Sequence, residues 1–141
     1  FIVAENGEHL GIAPNGLISE SDMNLLFHFG ERIIELDLTG KDLRHFPNDF
    51  LSKFRSIEVL TLSHAKFELS SLAYLDQLPK LSTLKIQNLN ITDQVVEVNL
   101  SKLDQLKHLY IGENSVSIKG LSYLSTLKNL KELEATNCDL N

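Results

Sequence analysis

The chain has 141 residues, enough for one domain, and 43% of them are apolar, which is ordinary for a folded domain. No run approaches the ~20 apolar residues that a membrane-spanning helix needs. The net charge of -6, from 13 basic and 19 acidic residues, disfavours nucleic acid as a partner. Cys138 is the single cysteine, so no intrachain disulfide can form. This favours a reducing compartment, although bacterial secreted proteins often lack cysteine too.

The first 32 residues predict two local elements. Asn6-Gly7 is a strong two-residue hairpin signal because both turn positions favour positive φ, and the flanking segments 1–4 and 8–12 predict its strands. Ser19 then precedes a short predicted helix over residues 20–29, which ends at a glycine.

From position 33 onward one eleven-residue phrase returns five times. It consists of an apolar residue, two of any kind, Leu, one of any kind, an apolar residue, and a last apolar residue five positions later. The phrases start at 33, 57, 81, 106 and 130, and this period of 24 or 25 residues indicates a solenoid. Alternation within each phrase predicts a short strand, and stacked strands would form a parallel sheet with one apolar face. The phrases are Ile33, Leu36, Leu38, Leu43; Ile57, Leu60, Leu62, Phe67; Leu81, Leu84, Ile86, Ile91; Leu106, Leu109, Ile111, Val116; and Leu130, Leu133, Ala135, Leu140.

The phrase and its period resemble the leucine-rich repeat, and the resemblance covers residues 33–141. It implies an α/β fold, a right-handed leucine-rich repeat solenoid shaped as a horseshoe, with a parallel sheet on the concave side and short helices on the convex side. Residues 1–32 would form an N-terminal cap of hairpin and short helix over the open end of the apolar ladder. The predicted repeats are 33–56, 57–80, 81–105, 106–129 and a partial repeat at 130–141.

The segments between the phrases predict a mixture of repeat subclasses. Residues 43–54 resemble the 24-residue "typical" repeat, whereas later segments carry leucines every three residues, as in the helix-bearing ribonuclease-inhibitor-like repeats. That spacing suits short α or 3₁₀ helices laid on the sheet, and Ser71 and Thr92 are predicted N-caps. The leucines are Leu72, Leu75 and Leu78; Leu100, Leu103 and Leu106; and Leu121, Leu124 and Leu127.

Leucine-rich repeats usually place Asn in one slot after each strand, where its side-chain amide binds the backbone of the adjoining coil. Only Asn114 matches this preference fully, and Cys138 matches it partly. The other slots hold Lys41, Ala65 and Leu89. We therefore expect a weaker hydrogen-bonded spine and irregular loops near Lys41 and Leu89.

The residues between the strand leucines are predicted to point to solvent on the other face of the sheet. We call this the open sheet face; it is the concave surface in the family. Acidic residues occupy its two ends, and Lys85, His108 and Tyr110 its centre. Tyr110 is the best predicted anchor because a large amphipathic ring on a rigid strand loses little entropy on binding. The predicted partner-binding residues are Glu35, Asp37, Thr61, Lys85, Gln87, His108, Tyr110, Glu132 and Glu134.

No pattern in the sequence predicts catalysis, and we expect neither enzyme activity nor a metal or cofactor. The five histidines lack metal-ligand spacing, and phosphate-binding glycine loops and nucleophile elbows are absent. A catalytic role for His108 is disfavoured because a shallow curved sheet excludes little water. Cys138, in the Asn-like slot, predicts a structural thiol. The glycosylation patterns Asn90-Ile91-Thr92 and Asn99-Leu100-Ser101 are of a kind that arises often by chance.

The resemblance implies a protein-protein interaction module that binds a partner protein or peptide. Mixed repeats without cysteine caps look most like bacterial leucine-rich repeat proteins, including surface proteins and host-delivered effectors, so a secreted, surface or host-delivered location is favoured over a cytoplasmic one. The alternative is the recognition arm of a larger enzyme, such as a ubiquitin ligase or signalling protein. A third reading is self-association through the fifth strand, whose apolar side is expected to lack a cover. Phe1 cannot be a translation start, which indicates either a removed leader or an excised piece.

Overall fold

The computed structural model describes residues 18–140 and, for the backbone, residues 2–4. In these ranges one sheet contains six strands in chain order. The last five strands are parallel, each paired with the next, and the first is antiparallel to the second. The five parallel strands coincide with the five predicted phrases, so an α/β solenoid with a parallel sheet is confirmed. The strands are β1 (Ile2–Ala4), β2 (Ile33–Asp37), β3 (Val59–Thr61), β4 (Thr83–Lys85), β5 (His108–Tyr110) and β6 (Glu132–Glu134).

The leucine at the second apolar position of each phrase stacks on its equivalent in the next coil. The pairings run Leu36 to Leu60, Leu60 to Leu84, Leu84 to Leu109 and Leu109 to Leu133. The first four side chains are fully buried, whereas Leu133 on β6 is 40% exposed because it packs against one coil only. Burial of this ladder is the main driving force for stacking, since a lone coil has no second layer to cover its leucines.

Short helical segments close the coils on the side away from the open sheet face. Helix formation in these segments is confirmed. The predicted helix over Leu100, Leu103 and Leu106 is wrong in its extent, because the helix ends at Leu100 and the buried Leu103 and Leu106 lie in the turns that follow. None of the helices within residues 18–140 has the length and apolar character that crossing a bilayer requires. The segments are the 3₁₀ turns Phe50–Lys53 and Leu69–Gln77, α2 (Asp93–Val95) with the π-helical turn Val96–Leu100, and α3 (Ile118–Ser122) with the 3₁₀ turn Tyr123–Thr126.

The two predicted N-caps of these segments do not cap. Ser71 lies inside the turn Leu69–Gln77, where it is buried and donates a 3.1 Å hydrogen bond to Asn48 Oδ1. Thr92 does precede α2, but its side chain accepts no capping hydrogen bond. The propensity of a hydroxyl residue for N-caps was therefore overridden by a cross-coil contact at Ser71.

Ahead of the first repeat, helix α1 covers Glu20–His28, and the 3₁₀ turn Gly30–Arg32 leads into β2. Ser19 caps α1 with a reciprocal pair: Asp22 N–H donates to Ser19 Oγ (3.1 Å), and Ser19 N–H donates to Asp22 Oδ2 (3.2 Å). Strand β1 pairs with β2. The predicted hairpin turn Asn6-Gly7 and the segment 8–12 lie outside the described residues.

The core changes character along the solenoid. Near α1 it is aromatic, with Phe27 and Phe46 ring centroids 5.6 Å apart and Phe46 and Phe50 centroids 5.3 Å apart in edge-to-face contact. Phe54 and Phe67 extend this group at 6.1 and 6.2 Å. From the third coil onward the buried residues are almost entirely Leu, Ile and Val. The aromatic group therefore joins α1 to the first two coils.

Each strand leaves the sheet through a loop with one residue at positive φ immediately before the Asn slot. At the fourth slot the amide of Asn114 accepts from Leu89 N–H (2.8 Å) and Ile91 N–H (3.1 Å) and donates to Ile86 O, Ile111 O and Gly112 O at 2.8 to 3.2 Å. One side chain thus fixes the loop around Leu89. The positive-φ residues that precede the five slots are Gly40, His64, Asn88, Glu113 and Asn137.

Where the slot lacks Asn, other groups join the coils. A backbone bridge between Asp42 and Lys66 connects the first two loops, with Lys66 N–H donating to Lys41 O at 2.9 Å. Cys138 Sγ lies 3.4 Å from Ile111 O, consistent with the structural thiol that the sequence predicts. Leu89 lies between Asn88 and Asn90, both at positive φ, so the loop at this slot is irregular as expected.

Candidate functional site

Strand pairing places the predicted binding residues in columns across the open sheet face. Glu35, Val59, Thr83, His108 and Glu132 are consecutive partners in one column. Asp37, Thr61, Lys85, Tyr110 and Glu134 form the second column. All the predicted residues of these columns are partly or fully exposed. The register is the one expected from the sequence; the binding role of these residues stays a prediction.

The structure brings six of these residues together on three neighbouring strands, leaving Glu35, Asp37 and Thr61 towards the other end of the sheet. We call this group the β4–β6 cluster. It consists of Lys85, Gln87, His108, Tyr110, Glu132 and Glu134. Gln87 lies two residues after the end of β4, and the other five residues are in β4, β5 and β6.

Tyr110 lies at the middle of the β4–β6 cluster. Lys85 Nζ lies over the Tyr110 ring, 5.3 Å from its centroid, a cation–π geometry. Hydrogen bonding of the hydroxyl with Glu132 raises the pKa of Tyr110, and burial and the charges of Glu132 and Glu134 act in the same direction. The phenol is therefore a neutral donor at physiological pH, held between a cation on one strand and a carboxylate on the next.

Glu134 is held by donors from three coils. Thr136 N–H donates to its Oε1 (2.7 Å) and Gln87 Nε2 donates to its Oε2 (3.2 Å). Hydrogen bonding from the Thr136 side chain is the largest cause that lowers the pKa of Glu134, and the Thr136 and Gly112 amides and Gln87 add to it against the opposing effect of burial. The carboxylate is fixed in position and ionised.

Gln87 connects Glu134 to the second coil. Its backbone N–H donates to Ser63 Oγ (3.1 Å), and the Ser63 hydroxyl lies 3.4 Å from Gln87 Oε1. Ser63 is buried. The chain from Ser63 through Gln87 to Glu134 therefore spans four coils and orients polar groups that would otherwise move freely.

Gly112 makes room for this arrangement. A Cβ at this position would lie 2.8 Å from Glu134 Oε2 and 2.8 Å from Thr136 O, both too close. Gly112 and Thr136 were not selected as functional residues from the sequence. The sequence signal for Gly112 was a glycine in the coil next to the acidic strand residues Glu132 and Glu134. A glycine at such a position has many other possible causes.

His108 and Asp37 are also fixed by local contacts. His108 Nδ1 lies 3.2 Å from Thr83 Oγ1 on the neighbouring strand. Asp37 accepts from Thr39 N–H (2.9 Å) and from the Thr39 hydroxyl, in the same i to i+2 relation as Glu134 and Thr136. Two acids at opposite ends of one column therefore use the same device to hold their carboxylates.

The open sheet face combines fixed charges with an aromatic centre. Its predicted binding residues include the carboxylates of Glu35, Asp37, Glu132 and Glu134 and the single ammonium of Lys85. Such a surface can make charge-assisted hydrogen bonds with donors of a partner while Tyr110 offers apolar contact area. It is a surface suited to recognition.

A comparison with solved structures identifies a similar fold. A crystal structure of an internalin from Listeria monocytogenes matches with a TM-score of 0.61 and 18% sequence identity, over 78% of this chain and 30% of the internalin chain. The present chain thus spans less than a third of that protein's length. No protein-family model matches the sequence. The structural likeness indicates a solenoid of the leucine-rich repeat type. The repeat pattern in the sequence and the parallel sheet indicate the same fold.

Proposed function

We propose that this chain is a protein-protein interaction module that binds a partner protein or peptide through the open sheet face. The observation that carries the proposal is the β4–β6 cluster, in which side chains from three coils hold one another in place. Because their rotamers are already restricted, binding a partner costs less side-chain conformational entropy than it would if these side chains moved freely. Reaction chemistry, a metal and a cofactor are not needed for this role.

Tyr110 is the proposed anchor of the interface. Its ring is half-buried against Lys85, and its hydroxyl is directed to Glu132. Tyrosines and arginines in such central positions dominate many interfaces, whereas the surrounding contacts exclude water. Glu35, Asp37, Thr61 and Gln87 are the proposed surrounding contacts.

The proposal is tested by affinity capture with the intact chain as bait, comparing wild type with the double variant Lys85→Glu, Tyr110→Ala. A matched control, Lys119→Glu, Tyr123→Ala, removes the same residue types from α3 and the turn after it, on the other side of the coils. Partners should be captured by wild type and by the control and lost with the first variant. Equal capture by all three folded proteins contradicts the proposed site.

We further propose the finer assignments that the sequence suggested. These are a horseshoe curvature with the open sheet face on its concave side, an N-terminal cap over residues 1–32, mixed typical and ribonuclease-inhibitor-like repeats, and a bacterial surface or effector protein. Small-angle X-ray scattering of the purified chain tests the curvature, because a curved and a straight solenoid of equal length differ in their distance distributions.

Two other functions are candidates: the recognition arm of a larger enzyme, and a repeat that associates with itself. Leu133 and Leu140 are 40% and 42% exposed, a feature that suits further coils or a second copy packing against β6. Reading the gene beyond the codon for Asn141 tests the first idea. Light scattering over a concentration series tests the second, for which the mass must rise with concentration.

A further inference from the structure

Basic residues collect along one edge of the solenoid. The edge is formed by the segments that lead from each helical turn into the next strand, 53–58, 77–82, 100–107 and 126–131, and we call it the strand-entry edge. It contains seven basic and two acidic residues, a net charge of +5 in a chain whose net charge is -6. All seven basic side chains are exposed. They are Lys53, Arg55, Lys80, Lys102, Lys107, Lys128 and Lys131, and the acids are Glu58 and Asp104.

Backbone hydrogen bonds show that these segments form one surface. Ser82 N–H donates to Glu58 O (2.9 Å), Lys107 N–H to Ser82 O (2.8 Å) and Lys131 N–H to Lys107 O (2.8 Å). A side chain adds a further link, with Asn129 Nδ2 donating to Asp104 O at 2.8 Å. The cations of four successive coils are therefore side by side, although they are up to 78 positions apart in the sequence.

Like charges are neighbours along the strand-entry edge, which has only two acidic residues among its seven basic ones. Lys107 and Lys131 occupy adjacent positions in the ladder, a spacing of about 4.8 Å for neighbouring strands. Neighbouring like charges of this kind reduce stability. None of the seven basic residues forms a salt bridge with another residue of the described range 18–140.

The residue types point to a diffuse anionic partner. Six of the seven are lysines, which act as hydrated point charges, whereas specific two-point contacts to phosphate favour arginine. Phe54 is the single aromatic residue of these segments and is fully buried, so the edge has no platform for stacking nucleic acid bases. Three repeat positions carry a cation in two segments each, and no position carries one in more than two; the pairs are Lys53 and Lys102, Arg55 and Lys128, and Lys107 and Lys131. The charges therefore cover an area without a regular spacing that a periodic polymer could follow.

We propose that the strand-entry edge binds the surface of a membrane rich in anionic phospholipid. Mobile headgroups can adapt to an irregular field of ammonium groups, and juxtaposed basic residues are attracted by the negative surface potential. The large exposed apolar residues of the described chain, such as Val98 and Ile118, are in other segments, so the contact is electrostatic and reversible. The open sheet face is formed by the strands that follow these segments, so a protein partner and the membrane would contact different residues.

Co-sedimentation with lipid vesicles tests the proposal. Wild type should bind vesicles of phosphatidylcholine with about one third phosphatidylserine and not vesicles of phosphatidylcholine alone, at ~0.05 M salt. The edge variant Lys107→Glu, Lys131→Glu should lose roughly tenfold or more in partition coefficient. The matched control Lys66→Glu, Lys119→Glu has the same net charge but alters exposed lysines outside the edge, and it should bind much as wild type does. Raising salt to ~0.5 M should abolish binding.

Several results would overturn the proposal. Equal losses in the two double variants would mean that only net charge matters, and absence of wild-type binding to anionic vesicles would exclude the membrane. Capture of soluble polyglutamate without vesicle binding would assign the edge to an acidic protein segment instead. Circular dichroism checks that each variant is folded. If the edge variant with two glutamates does not fold, the variant Lys107→Gln, Lys131→Gln takes its place. The open-face variant Lys85→Glu, Tyr110→Ala should still bind vesicles, so this proposal and the proposed function fail separately.

Discussion

The carboxylate of Glu134 occupies the space beside Gly112 that any larger side chain at position 112 would need. An ideal Cβ there lies 2.8 Å from Glu134 Oε2 and 3.0 Å from Oε1. The glycine is on β5's coil and the glutamate on the next, so the relationship exists only because the coils stack in register. It links the shape of the open sheet face to its charge.

Replacing Gly112 by alanine should therefore destabilise the protein and displace Glu134. The new methyl group also meets Thr136 O, a backbone atom that cannot move independently. We expect a loss of about 1–3 kcal/mol in the free energy of unfolding, measured by urea denaturation. The same substitution in a Glu134→Ala background should cost less, because one of the two clashes is gone. Equal losses of unfolding free energy in both backgrounds would show that the Glu134 carboxylate does not occupy the space beside Gly112.

Removing the amide of Asn114 should be the most damaging single polar change in the loops. Asn114→Ala leaves the buried N–H groups of Leu89 and Ile91 without their acceptor. We expect a loss of about 2–4 kcal/mol in urea unfolding. Asn129→Ala is the matched control, since its exposed amide makes one cross-coil bond to Asp104 O, and it should cost less than ~1 kcal/mol. Similar losses for both variants would contradict a special role of the fourth slot.

Glu113 is an exposed residue at φ 59°, a conformation that disfavours residues with a Cβ. Glu113→Gly should raise the free energy of unfolding by about 1 kcal/mol, because relief of strain exceeds the added entropy of the unfolded chain. In contrast, Glu97→Gly in the helical turn Val96–Leu100 should lower it by about 0.5–1 kcal/mol. Thermal and urea unfolding of both variants measure the difference; a loss of stability in both would refute the strain argument.

Acid should weaken the β4–β6 cluster through Glu134. The pKa of this carboxyl in the folded protein lies below its ordinary value of 4.5. Ionised Glu134 therefore contributes stability that is complete above the ordinary value and is lost as the pH falls through the folded pKa. The stability difference between wild type and Glu134→Gln should shrink accordingly as the pH falls below 4.5.

The cause of that pKa shift can be tested separately. Thr136→Val removes the hydroxyl that contributes most to lowering the pKa of Glu134. The titration midpoint of the Glu134 carboxyl, followed by carbon NMR, should then move up towards 4.5. An unchanged midpoint would mean that the backbone amides and Gln87 hold the carboxylate by themselves.

The leucine pattern predicted the strands and their register well because it repeats the same physical requirement five times. Leu36 must be buried for the same reason as Leu60 and Leu84, so the strand partners follow from counting residues. The turns were predicted less well. Leu103 and Leu106 keep the spacing of a helix but lie beyond its end at Leu100, since burial alone does not determine the backbone path.

The polar side chains were the least predictable part of the candidate site. Lys85, Tyr110 and Glu132 were selected from their columns, but their mutual contacts depend on rotamers that the sequence does not specify. Ser71 was expected at a helix cap and instead bonds to Asn48, 23 residues earlier. A hydroxyl has several partners of similar energy, and the fold decides which one is within reach.

The sequence by itself determined the solenoid, the parallel order of five strands and the face on which Tyr110 lies, because periodic burial of leucines dominates the free energy of folding and has a single solution. Only the tertiary structure decided that Gln87 reaches Glu134, 47 residues away, and that lysines of four coils line one edge. These arrangements depend on where each helical turn ends and how neighbouring coils stack. Such details change little apolar area, so the leucine pattern does not encode them.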